Sequence, residues 1–480
     1  MSHIESLPNL VNYSEPLSVL PDGMQNFTVT CLPVNGSTFA ASQQIIVDLN
    51  NVGYLDPASL MIRYNVTYTT AASAGNVAAT QGMYGAIAGC PVYSPFIRVD
   101  TLFNSNVVES INNWNSVATM LSNVNMSVAD KLGQQFSLGY ADATEINEYT
   151  DGFITGIQGA AAAITLTKTL YLSAPLPCLL SNAEKLIPLN GTNIRLQFTT
   201  DAIGNFCPLV TTSNVLNATT SLSVQGPALG MCALPITVVT ANANSQFTSM
   251  SISNFEVVYN QVQFPPQVDA EIRSMSPKIR IKTTSYATGA QTIPQTATGT
   301  QNLIYNLRYA SIKGLFLLNG GSGATSQNKL LESFDITKGG VTLGTGGSYN
   351  FQVNGINYPQ NPINTAYNKG YVLQELRRAM NNIYNNNVSM SINANEYNVV
   401  DGNTSSIYVP AKFYVAVNTQ RLSVPYKALF TGISSQNSPI TAVINLSPGA
   451  LVQGYNCLLA IYYDAIIEID LATKQVNFIY

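Results

Sequence analysis

Hydrolytic and transfer chemistry is built mostly from histidine, paired carboxylates and activated cysteine, and this chain of 480 residues offers few candidates. Its one histidine is His3, so no histidine triad, histidine base or zinc cluster can be assembled. Six cysteines (Cys31, Cys90, Cys178, Cys207, Cys232, Cys457) stand at irregular intervals without a CxxC pair, and are expected as buried thiols. Asp464, Glu468 and Asp470 share parity along one apolar run, and two carboxylates suffice for glycoside hydrolysis. Alternation against Ala465, Ile467 and Ile469 reads instead as the solvated side of a strand. Gly320-Gly321-Ser322-Gly323 and Gly339-Gly340 lack the lysine and strand-to-helix setting of a phosphate loop. The residues therefore point to a non-enzyme with no catalytic residue, no metal and no cofactor.

Charge narrows the choice further. Only 10% of residues are charged, against about 25% in ordinary soluble domains, and Asn, Thr, Ser, Gln and 26 Tyr carry the polar share. Such a surface solvates weakly for its area and suits burial against copies of itself. The net charge of -4 leaves no basic footprint for nucleic acid. No signal segment and no membrane-spanning stretch is visible. Sequons such as Asn26-Phe27-Thr28 are expected by chance in an Asn/Thr-rich chain.

The elements that must carry these residues are strands. Residues 1–40 hold Pro8, Pro16, Pro21 and Pro33 and few periodic apolar positions, which predicts an arm, with Phe27 and Val29 as its apolar contacts. Gln44 to Leu49 and Leu60 to Tyr68 are strands, and the small residues from Ala71 to Gly89 read as a loop. Phe96 to Phe103 and Val107 to Ile111 flank the turn Asn104-Ser105-Asn106, a hairpin signal. Trp114, Val117 and Leu121 keep helix spacing. Small and polar runs near residue 245 suggest a boundary, giving sandwiches at 41–245 and 246–480. A helix is predicted from Tyr371 to Tyr384, burying Leu373, Leu376, Met380 and Ile383. Cys457 to Asp470 is the longest β-rich run, and Lys474 to Tyr480 makes one more strand. Many short strands without a β-helix-β rhythm argue for an all-β chain of two sandwiches with a few short helices.

Several segments, taken in order, resemble the double jelly-roll major capsid proteins of eukaryotic DNA viruses, virophages and polinton-like elements. They are Tyr54-Leu55-Asp56-Pro57; Pro95 to Val99 leading through Val108-Glu109 to Ile111-Asn112-Asn113-Trp114-Asn115 and Met120-Leu121; and Ile187-Pro188-Leu189 before Ile194 to Phe198. The second half adds Ser276 to Tyr286, Arg308 to Gly314, Asn357-Tyr358-Pro359, and Leu429 to Ser435 running into Ser438 to Thr441. The likeness spans roughly residues 45 to 480 and implies two consecutive jelly rolls side by side. It implies three copies forming a pseudo-hexagonal capsomer that tiles an icosahedral shell, with the N-terminal arm on the inner side. Partners would be the chain itself and penton and minor capsid proteins, in the virion.

Residues are assigned by role only. Arg98 and Arg308 lie in or beside apolar strands, where a guanidinium needs a partner, so an interprotomer or interdomain pair is expected. Trp114 is a candidate anchor at a sheet edge or, in the plainer reading, a core tryptophan. Phe27 and Val29 are expected on the inner face. Two other classes compete: an adhesin or carbohydrate-binding sandwich whose Tyr and Asn line a sugar site, and a glycosidase with two converging carboxylates.

Overall fold

Alternation of apolar and polar residues gives most of these segments one face to bury, and in the computed structural model they do so in pairs of sheets. The structure describes residues 23–50, 52–73, 81–140, 153–158, 162–207, 240–241, 246–275, 277–321, 333–337, 347–365, 368–380, 390–392, 397, 412–421, 430–446, 451 and 454–480. Met61–Thr70 shows the pattern plainly: Ile62, Tyr64, Val66 and Tyr68 are fully buried while the residues between them are not.

Four sheets make two sandwiches. In the first, Thr167–Pro175, Met61–Thr70 and Phe247–Gln263 run antiparallel, with Gln25–Cys31 and Thr38–Ala40 on the far side of Phe247–Gln263. The facing sheet has the order Gln44–Asp48, Ile194–Thr200, Phe96–Phe103, Asn106–Asn112. An aromatic cluster fills the space between: Tyr64 and Phe255 from one sheet meet Phe96 and Phe198 from the other at 5.0–5.8 Å between centroids. The hairpin closes through Asn104 and Ser105, both at positive φ (49° and 70°), as a two-residue turn matched to strand twist requires.

The second sandwich is organised around Tyr455–Asp470, which lies between Lys278–Ile293 and Ile312–Gly321. Its facing sheet has the order Thr300–Tyr305, Ile440–Asn445, Ser348–Val353, Ile356–Asn364. Tyr305 donates to the Cys457 carbonyl and Asn319 to the Tyr349 hydroxyl, so buried polar groups tie the two layers together.

Four expectations need correction. Phe247–Gln263 pairs with Met61–Thr70, so sheet membership changes after Gln263, at the helix Pro266–Met275, and not near 245. Residues 25–31 and 38–40 are strands of the first sheet, so the described part of the predicted arm is edge strand. Residues 81–87, read as loop, form a strand in a small fifth sheet with Phe153–Gln158 and Thr240–Ala241. Finally, the helix found at Lys369–Ala379 buries Val372, Glu375, Leu376 and Ala379, a face rotated from the predicted one, because it lies on Ile312–Gly321 and Val415–Asn418. Residues 381–384 of that prediction lie outside the described residues.

Ile461 is fully buried at the centre of the second sandwich, whereas Ile304 is half exposed on a sheet edge. Ile461→Ala is expected to cost about 2–5 kcal/mol, and Ile304→Ala about 0.5 kcal/mol or less. Urea denaturation midpoints of the two variants check this.

Candidate functional site

The two sandwiches meet along a seam of specific hydrogen bonds, and its centre is a carboxyl group. Glu109 sits on the hairpin strand Asn106–Asn112 with the parity of Ile111, and both point inward. It is 2% exposed. Thr101 Oγ1 donates to it at 2.7 Å, the Leu179 N–H at 2.8 Å, and Ser285 Oγ reaches it from the second sandwich. Burial pushes this carboxyl up to about 7, against the pull of those three donors. Burial, with the adjacent Glu109 charge, pushes the Cys178 thiol up to about 12.

Further ties flank it. The Glu184 N–H donates to Lys282 O at 3.0 Å, Asn182 Nδ2 to Thr284 O at 3.0 Å, and Thr288 Oγ1 to Asn112 O at 2.7 Å. Asn123, on the helix Trp114–Asn125, donates to the Tyr414 hydroxyl, while its carbonyl accepts from Ser391. Phe103 and Phe478 meet edge to face at 5.3 Å. Glu109 belongs to the segments that carry the resemblance but has no role assigned from sequence; the available signal is a carboxylate at the buried parity of an apolar strand.

The segments that carry the resemblance also meet in space. Ile187 and Pro188 pair with Leu55 and Tyr54, and Ile194–Thr200 pairs with Phe96–Phe103. Phe430 to Ser435 clamps Arg308 to Ile312: Ile312 and Ile433 exchange both backbone bonds, and Gly432 N–H donates to Ser311 Oγ. A β-carbon on Gly432 would lie 2.1 Å from Ile312 O, so only glycine fits this approach. Beneath the clamp, Asp464 is fully buried and accepts from Ser311 Oγ (2.7 Å) and the Thr431 N–H (3.2 Å), with Lys313 Nζ at 3.5 Å.

That corrects the reading of the C-terminal carboxylates. Asp464 is not on the solvated side, because the middle of its strand is flanked on both edges and covered on both faces. Glu468 pairs with Arg280 at 2.7 Å, and Asp470 caps the turn at Ala472 and Thr473. Each of the three is engaged separately, so they do not converge on one cleft.

The other predicted residues fall as follows. Arg98 pairs with Asp100 of its own strand at 2.8 Å, not with the second sandwich. Arg308 is exposed and donates to the carbonyls of Ser435 and Gln436, without an ion pair among the described residues. Trp114 is 1% exposed, its indole N–H donating to Pro177 O at 3.0 Å and its ring edge-to-face with Tyr93 and Phe96. It packs as a core tryptophan of the first sandwich. Phe27 is 45% exposed, and Val29 packs on the core. His3 and Cys232 lie outside the described residues; the five described cysteines are buried and free. Among the described residues no three His, Cys, Asp or Glu side chains group as a metal site, and no helix is long and apolar enough to cross a membrane.

No family model and no curated protein sequence matches the chain. Solved structures do. The Faustovirus major capsid protein superposes with a TM-score of 0.55 at 10% identity, over 96% of this chain and 94% of that one. A chain of the PBCV-1 virus capsid gives 0.52 at 11% identity, over 97% and 99%. A chain of the Sputnik virophage gives 0.52 at 11%, over 100% and 93%. The fold is the double jelly roll. In this double jelly roll the seam fixes how the two rolls stand side by side, which is the geometry any larger assembly would inherit.

Glu109 makes the seam sensitive to pH in a defined direction. Its folded value lies near 7 and its ordinary value near 4.5, so the folded protein keeps a proton that the unfolded chain releases. Stability from this group is complete below about pH 4.5 and is lost as pH rises through 7, a change on the order of 3 kcal/mol. Glu109→Gln keeps an oxygen for Ser285 and Leu179 and removes the titration. Melting temperatures from pH 4.5 to 8 should show a slope in the parent protein that is flatter in the variant.

Proposed function

We propose that this protein is a major capsid protein whose homotrimers form pseudo-hexagonal capsomers of an icosahedral shell. The observation that carries the reading is whole-chain correspondence, two jelly rolls in the same order over nearly the full length of capsid proteins. Composition supports it independently. With 21 Lys+Arg and 25 Asp+Glu in 480 residues, little charge keeps copies apart.

Two rolls side by side supply one third of a six-lobed ring, so three copies complete it. The contact would be heterologous, one roll meeting the other roll of the next copy, and closes at three. Edge strands are available for it. Thr167–Pro175 ends one sheet with Tyr171 72% exposed, and Ile356–Asn364 ends another with Ile356 57% exposed. Strand edges and apolar side chains left in water invite pairing unless another surface covers them. Penton and minor capsid proteins are the further partners of this reading, and the virion its location.

Permanent interfaces of about 2,000 Å² or more per pair offset the cost of association. The protein is therefore expected to sediment as a trimer at sub-micromolar concentration, in low and in high salt alike. A monomer under those conditions, or a trimer that dissociates on adding salt, refutes the assignment.

A further inference from the structure

The helix Pro266–Met275, which joins the two sandwiches, has none of its ten residues buried. A helix this short depends on tertiary packing, yet of Val268, Ile272 and Met275, spaced to share a face, the first two are only partly buried and Met275 is 74% exposed. Beside it opens a cleft of about 490 Å³ between the sandwiches. Its walls mix apolar and cationic side chains: Phe264, Ile272 and Leu186 with Lys185, Lys278 and Arg280. Arg280 is paired with Glu468, but Lys185 and Lys278 are exposed and make no ion pair among the described residues.

The chain delivers a matching segment to this place. Gln25 pairs with Gln263, and a β-carbon on Gly23 would lie 3.4 Å from the Pro265 ring, one residue from Phe264 in the cleft wall. Residues 1–22 of the sequence carry Glu5, Glu15 and Asp22 and no lysine or arginine. Among these acids run Leu7, Leu10, Val11, Leu17 and Leu20. Pro8, Pro16 and Pro21 restrict the segment toward extended conformations, so less entropy is lost on docking. Tethered at Gly23, it meets the cleft at an effective concentration in the millimolar range.

We infer that the cleft is the docking site of residues 1–22 of the same chain, apolar side chains against Phe264 and Ile272 and carboxylates against Lys185 and Lys278. The contact is made within one chain, so it stands or falls independently of the capsid reading.

Zero-length carbodiimide coupling on the full chain, which joins only amines and carboxylates in contact, tests it. Protein co-assembled from isotopically light and heavy chains should yield Lys185 or Lys278 coupled to Glu15 or Asp22 in light–light and heavy–heavy pairs. Couplings found only as light–heavy pairs would assign the cleft to a neighbour's segment, and none at all would leave it without this occupant; either overturns the inference. A glutamyl endoprotease supplies the second readout. The double variant Lys185→Glu, Lys278→Glu changes two exposed side chains, and cleavage after Glu15 should quicken at least tenfold relative to the parent. Equal rates overturn the inference as well.

Discussion

Everything beyond the individual sandwich depends on one buried carboxyl group. Glu109 leaves water on the first sandwich and recovers hydrogen bonds partly from the second, through Ser285. A buried polar group that lost those donors would cost about 1–3 kcal/mol or more, so the two sandwiches are held in the one orientation that supplies them. The surrounding ties act the same way, since the Glu184 N–H and Lys282 carbonyl satisfy each other across the seam. The covalent connection could not do this by itself. The joining helix buries no residue.

The same economy governs the ion pairs. Arg63 with Glu256 and Arg195 with Asp48 are cross-strand pairs, and so is Arg280 with Glu468. Opposite charges facing each other across a ladder favour one register over a one-residue slip, which would expose the whole apolar face. Charges committed to register do little to repel other copies. Much of the remaining polar surface is Asn, Thr, Gln and Tyr, which can hydrogen-bond to a neighbour without the desolvation cost of an ion. Low charge and a tightly specified sheet register are thus two consequences of one allocation.

Local pattern was legible and distant pairing was not. The hairpin from Phe96 to Asn112 could be read because its turn and both strands lie within a few residues of each other. Tyr455–Asp470 could be read because a long β-branched run has no helical period to compete with it. The strand Phe247–Gln263 was equally visible as a strand, but its partner Met61–Thr70 lies nearly two hundred residues earlier, and nothing local in Phe255 or Tyr259 names it. Residues 25–31 failed as an arm for the same reason, since their apolar positions are few and their ladder is supplied by residues 257–263. Asp464 misled because parity describes a strand with one wet face, and this strand has none at that point. The role of Glu109 was illegible for the converse reason, since the inward parity of a charged residue can be weighed only once its donors are known.

Identity of 10–11% alongside superposition over nearly whole chains shows which features the fold demands. A jelly roll asks each strand for an inward apolar face and a register, and many residues satisfy both. It asks for particular residues only where geometry leaves no choice, as at Gly432 against the Ile312 carbonyl or Asn104 and Ser105 at positive φ. An enzyme on the same scaffold would add a further demand, a fixed constellation of chemical groups. In this chain the buried polar groups are turned inward on structure: Asp464 on the clamp of Thr431 and Ser311, Glu109 on the seam. Polar groups engaged in this way hold the two rolls in shape, and shape is the property that the proposed capsid role would use.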